Sequence, residues 1–209
     1  MTRAKFDETS RTALTDCVKK IETTTDAELV LVVRARSGSY RQADYLVGFL
    51  LAFVSLLFLL FSPFDFHQYW VAIDVALFFV IGTLVSSRSN FLRRLFTTEN
   101  FRNEAVRLGA AAMFYEAGIA NTNAEMGLLI YLSILERRLE LIADRGVLKG
   151  VNALEWNQHL ADLRAAGRLA EPDSLLEAME KLGVSLTKCL PATGDNPNEL
   201  PDAPRFELK

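Results

Sequence analysis

LVGFLLAFVSLLFLLFSPF, Leu46 to Phe64, contains no charged side chain. As a helix rising 1.5 Å per residue it spans about 28 Å, close to the roughly 30 Å hydrocarbon core of a bilayer. A second run, WVAIDVALFFVIGTLVSS from Trp70 to Ser87, is interrupted only by Asp74. Two adjacent runs of this length are rare in the core of a small soluble protein, so the pair reads as a transmembrane helical hairpin. Asp74 would cost on the order of 3 kcal/mol at the bilayer centre. It lies one helical turn, about 6 Å, from Trp70, within reach of the interface that Tyr69 and Trp70 should mark. An interfacial, structural role is therefore expected for Trp70 and Asp74. A proton relay or a contact to a partner helix is the alternative for the acid.

The connection Asp65-Phe66-His67-Gln68 has room only for a tight turn, which brings both ends of the hairpin out on one side. Arg34, Arg36 and Arg41 precede the first run, Arg88, Arg93 and Arg94 follow the second, and the turn has no Lys or Arg. The positive-inside rule then places both flanks and both termini in the cytoplasm, as for an integral protein of a bacterial inner membrane. The first thirty residues hold no apolar signal-peptide core, so the first span is expected to direct insertion.

Outside the hairpin the chain is charged and mixed. Its 209 residues carry a net charge of −3, without the clustered basic surface that nucleic-acid binding requires, and no nucleic-acid partner is expected. The two cysteines, Cys17 and Cys189, are too far apart in sequence for a CxxC-type metal or redox pair. With the hairpin set aside, enough chain remains for one small domain.

That domain reads as α/β. Phe6, Ser10, Ala13, Cys17, Val18 and Ile21 recur at helical spacing behind Asp7 as N-cap. Glu28-Leu29-Val30-Leu31-Val32-Val33 is an unbroken apolar strand suited to burial on both faces. After the hairpin, Phe101, Ala105, Leu108, Ala112 and Tyr115 trace one helical face that should turn inward, with Gly118 as the stop. Gly127 to Ile134 and Arg138 to Ala143 are two strands whose short connection fits an antiparallel hairpin. Asn152 and Glu155 suggest a capping box ahead of Trp156, Leu160 and Leu163, with Gly167 closing that helix. Pro172 opens a last helix with Leu175, Leu176, Met179 and Leu182 inward and Gly183 closing it. The expected organisation is a soluble domain split into residues 1–42 and 89–188, a hairpin over 43–88, and a proline-rich disordered tail over 189–209.

Three stretches in this order resemble the TPM-domain family, which includes thylakoid-lumen factors of photosystem II repair and many bacterial envelope proteins. Thr25-Asp26-Ala27-Glu28-Leu29-Val30-Leu31-Val32-Val33 is similar to the family's first strand, with Asp26 where glycine is usual. Gly127-Leu128-Leu129-Ile130-Tyr131-Leu132-Ser133 is similar to its central strand, and Arg137-Arg138-Leu139-Glu140-Leu141-Ile142 to the strand that follows. Asp144-Arg145-Gly146 stands where a Gly-x-Gly turn is common. The resemblance covers about Lys5 to Leu163, with the hairpin as an insertion. It implies an α/β/α sandwich, a small mixed sheet with helices on both faces, and in some members calcium binding or weak acid-phosphatase activity.

Candidate oxygen ligands for calcium are Asp26 and Glu28, Asn121, Asn123 and Glu125, and Asp144; calcium takes six to eight oxygens, and no EF-hand spacing is present. Arg137 and Arg138 could grip a phosphate or carboxylate, or lie solvated beside Glu136 or Glu140. His67 and His159 do not share a site if His67 is in the outer turn, and Glu155 with His159 lacks a third metal ligand. The phosphate-loop, dinucleotide, zinc-protease and nucleophile-elbow motifs do not occur. The sequence thus points to a membrane-tethered, non-enzymatic TPM-like factor that binds or supports membrane proteins. A weak divalent-metal-dependent phosphatase acting at Asp26, Glu28 and Asp144 is the alternative.

Overall fold

The computed structural model describes residues 6–64, 67–122, 124–194, 199–200 and 203–208. The chain forms two compact units, Met1–Ser37 with Asn103–Lys209, and Gly38–Arg102.

The first unit is built on a mixed sheet of order β3-β2-β1-β4, with β1 Glu28–Arg34, β2 Gly127–Ser133, β3 Arg138–Ala143 and β4 Arg205–Glu207. Strand β1 lies parallel to β2, Glu28 opposite Gly127 and Arg34 opposite Ser133, while β3 returns antiparallel to β2. The unbroken apolar run of β1 is buried on both faces because helices cover both. Leu29, Leu31 and Val33 face a core shared with Leu14, Cys17, Val18 and Ile21 of α1 (Glu8–Thr24), with α7 (Ala153–Leu169) and with α8 (Pro172–Cys189). Val30 and Val32 face Val106, Ala110, Met113 and Phe114 of α5 (Glu99–Glu116). Period-two alternation sends neighbouring strand residues into separate cores.

Helix α1 starts where expected, the Asp7 carboxylate accepting the Ser10 N–H at 2.9 Å. That hydrogen bond holds the Asp7 carboxyl below its ordinary value. Gly118, with φ of +76°, takes the left-handed conformation just after α5. On α5 itself the buried face differs from the expected one. Leu108 and Tyr115 are exposed, and Val106, Ala110, Met113 and Phe114 are the residues inside. The helix bears two apolar stripes, and Gly109 decides between them. It shares a face with Val106 and Met113, and a Cβ there would lie 2.7 Å from the Tyr131 hydroxyl, so only that side can approach the sheet closely.

Two further glycines are not helix stops. Helix α7 runs past Gly167 to Leu169 and ends at Ala170 in the left-handed region, and α8 runs past Gly183 to Cys189. A Cβ on Gly167 would lie 2.9 Å from the Leu139 backbone nitrogen, and one on Gly183 would lie 2.6 Å from the Ile21 side chain. Both glycines allow close packing within helices.

The C-terminal segment also departs from the expected disordered tail. Arg205–Glu207 add β4 parallel to Val32–Arg34, filling an edge of β1 that would otherwise leave backbone groups unpaired. Phe206 fixes it there, its ring 6.5 Å from that of Phe6 with the Arg11 guanidinium 5.1 Å above it. The proline-rich composition does not reveal a three-residue strand.

The second unit contains α2 (Arg41–Phe61), α3 (Gln68–Arg88) and α4 (Asn90–Leu95). Both long helices are long and apolar enough to cross a membrane. They pack antiparallel, with Asp44 meeting Ser86, Gly48 meeting Gly82, and Ser55 meeting Asp74. On α2 the buried residues Asp44, Gly48, Ala52 and Ser55 form one stripe of small or polar side chains at three- to four-residue spacing.

Candidate functional site

The hairpin holds its polar groups against itself. The Asp44 carboxylate is buried, accepts Arg93 Nε at 3.0 Å and the second guanidinium nitrogen at 2.7 Å, and also takes the Ser86 hydroxyl at 2.8 Å. A bidentate, additionally hydrogen-bonded pair is the arrangement that best compensates the removal of two charges from water. Farther along, the Ser55 hydroxyl donates to the Asp74 carboxylate. Asp74 therefore meets the facing helix, a full α3 turn away from Trp70, which is 67 % exposed. Apolar run length does not single out Asp44, and the positive-inside rule gives Arg93 only a topological meaning. An acid at the head of an apolar run, matched by an arginine just beyond the second run, was the available sign.

In the first unit the topology gathers the expected ligand segments at one end of the sheet. Glu28 pairs with Gly127, and the Asp144 N–H donates to the Gly127 carbonyl, so the starts of β1 and β2 and the end of β3 lie together. Three of the four acids there accept hydrogen bonds from neighbouring groups. Asp26 accepts the Thr193 N–H and hydroxyl, at 2.9 and 2.8 Å, and the buried Glu28 accepts the Glu199 N–H at 3.3 Å. Asp144 caps α6 (Arg145–Gly150) through the Arg145 N–H, and Glu125 sits in a left-handed turn whose carbonyl accepts the Gly146 N–H. Asn121 is exposed in a 3-10 turn, and Asn123 lies outside the described residues. Among the described residues, no three His, Cys, Asp or Glu side chains come close enough to hold a metal ion.

At the other end of the sheet the polar residues do converge. The buried Glu136 accepts the Ser37 N–H at 2.8 Å and the Ser133 hydroxyl, while the Ser37 hydroxyl donates to Ser133 and lies 2.8 Å from the Tyr131 hydroxyl. Tyr131 and Ser133 are fully buried. Burial opposes the Arg34 charge, yet hydrogen bonds to Glu207 and Tyr131 outweigh it and raise the guanidinium above its ordinary value. This network ties the chain leaving β1 to the hairpin between β2 and β3. Glu136 is thus turned into the fold, and Glu140 pairs with Arg164 at 3.1 Å. Arg137 is exposed in the left-handed region, and Arg138 is half-buried opposite Ser133.

No protein-family model and no curated protein matches the chain. Among solved structures, the chain is similar to the NMR structure of BA42 protein from the psychrophilic bacterium Bizionia argentinensis, at 15 % identity and a TM-score of 0.58. The match covers 96 % of this chain and 94 % of that one. At that identity the likeness concerns the fold.

Proposed function

We propose that this chain is a membrane-tethered TPM-like domain, with α2 and α3 as a two-span anchor, that binds or supports other membrane proteins from its cytoplasmic side. The supporting observation is the contrast between composition and exposure in the hairpin. Only 17 % of the most apolar window of α2 is buried, and 11 % of that of α3. Phe49, Val54, Phe58, Leu60, Ile73 and Val80 all face outward, more than half of the accessible surface of each exposed. A core helix of a soluble protein would hide these residues, since exposing apolar surface to water costs roughly 25 cal/mol per Å². Lipid removes that cost, and the inward-facing Asp44 and the Ser55–Asp74 pair keep polar groups off the outer surface. The TPM reading is supported by the order of the three sequence stretches and by their placement as adjacent strands of one mixed sheet. The arginines before α2 and after α3 favour cytoplasmic flanks.

Fractionation tests the anchor: the intact chain should sediment with membranes and resist alkaline carbonate, whereas recovery in the supernatant would refute it. Orientation is tested with single cysteines in a Cys17→Ala, Cys189→Ser background: Gln68→Cys should react with a membrane-impermeant maleimide from outside intact cells, while a cysteine at the exposed Leu154 should not. The reverse pattern would invert the topology. Crosslinking in native membranes should capture a reproducible membrane-protein partner, and repeated failure would count against the supporting role.

A further inference from the structure

The second unit contains an apolar surface that the two long helices do not account for. Helix α4 follows α3 after the single residue Ser89, whose hydroxyl caps it by accepting the Leu92 N–H at 3.3 Å. Its rotation about its own axis is set by Arg93, which points back into the Asp44 carboxylate. With Arg93 fixed, Phe91 and Leu95, one turn apart, project outward, 71 % and 62 % exposed. Aqueous surroundings offer no reason to hold two large apolar residues in this position with a buried ion pair.

We infer that α4 is an interfacial anchor that lies in the headgroup layer of a leaflet rich in anionic phospholipid, with Phe91 and Leu95 inserted toward the acyl chains. This inference rests on the hairpin being the membrane anchor and adds a third membrane contact to it. Charge and continuity identify the occupant. Arg93 is taken up by Asp44, but from Arg88 to Thr98 the chain contains two further arginines, Arg88 and Arg94, and no acid. Arg41 and Arg88, both exposed, stand at the same end of the antiparallel pair. Basic residues at the end of an apolar helix attract anionic headgroups, and an adjacent apolar face adds burial at the acyl boundary. Beside this end a cavity of about 260 Å³, lined by Tyr40, Ala43, Leu46, Phe96, Thr98 and Phe101 among others, opens next to the first residue of the apolar run; no carboxylate lines it. An amphipathic surface of this kind fits the ester and glycerol zone of a lipid.

The test uses the full chain in phosphatidylcholine vesicles containing about a quarter phosphatidylglycerol. Single cysteines replace Phe91, Leu95, Val54 or Leu154 in a Cys17→Ala, Cys189→Ser background and carry an environment-sensitive fluorophore. Probes at 91 and 95 should be quenched by a spin label placed high on the acyl chain, and iodide should quench them roughly threefold less than the probe at the exposed Leu154. Val54 should respond to a label near the chain end. If 91 and 95 are as open to iodide as 154 while Val54 remains in lipid, the inference fails and the hairpin stands. If Val54 is open to iodide as well, both fail. Omitting phosphatidylglycerol should reduce the protection at 91 and 95; unchanged protection would remove the anionic-lipid part of the inference.

Discussion

Asp44 and Arg93 are 49 residues apart in sequence and form a two-pronged ion pair whose side chains are only 7 % and 11 % exposed. The pair joins the first turn of α2 to α4 and, through Ser86, to the last turn of α3. Its energetics are asymmetric, because removing one partner leaves the other charge buried without compensation. Asp44→Ala should therefore destabilise the second unit by roughly 3 to 5 kcal/mol, while Asp44→Leu with Arg93→Met should recover most of the loss. Unfolding in a titration of micelles with a denaturing detergent, followed by far-UV circular dichroism, measures both. Equal losses in the single and double variants would argue against a buried pair.

Gly167 gives a prediction about backbone packing. A Cβ there meets the backbone of Leu139, within β3, which hydrogen bonds to β2 hold in place. Gly167→Ala should cost about 1 to 3 kcal/mol through overpacking, despite the higher helix propensity of alanine. At Gly150 the obstacle is the flexible Leu190 side chain, so Gly150→Ala should be much milder. Denaturant midpoints for the two variants decide the comparison.

Glu136 holds the loop after β1. Glu136→Ala leaves the Ser37 N–H and the buried Ser133 hydroxyl without their acceptor, at a cost of roughly 2 to 4 kcal/mol. Tyr131→Phe removes the hydroxyl's contacts to Ser37 and to Arg34 but leaves no buried charge unpaired, and should cost about 1 to 2 kcal/mol. Thermal melting followed in the near-UV should rank them in that order.

Asp7 gives a pH prediction. Its carboxyl is lowered in the fold, chiefly by the Ser10 N–H, so its stabilising effect is present above the unfolded carboxyl value of 3.8 and is lost as pH falls through the lower folded value. Asp7→Ala should be less stable than the natural chain at neutral pH, and the difference should shrink toward pH ~3. Denaturant titrations at the two pH values measure this, and a constant difference would show that the cap does not act through the carboxylate.

The hydrophobic patterning already contained the two long apolar helices, the doubly buried β1, the β2–β3 hairpin and the Asp7 cap. These features follow from short-range rules: apolar run length, alternation, and a side chain bonding to an amide three residues on. Partner choice across space did not follow from those rules. Helix α5 offered two apolar stripes, and the place of Tyr131 on the sheet selected the one containing Gly109. Gly167 and Gly183 look like helix stops in one dimension, and only the neighbours Leu139 and Ile21 show them to be contact points. The same holds for β4, for the pairing of Asp44 with Arg93, and for the hydrogen bonds that Asp26 and Glu28 accept from the C-terminal segment. Local sequence determined which segments become helix or strand because those preferences are set within a few residues. Tertiary structure decided which faces and charges meet, because those contacts depend on residues dozens or hundreds of positions apart.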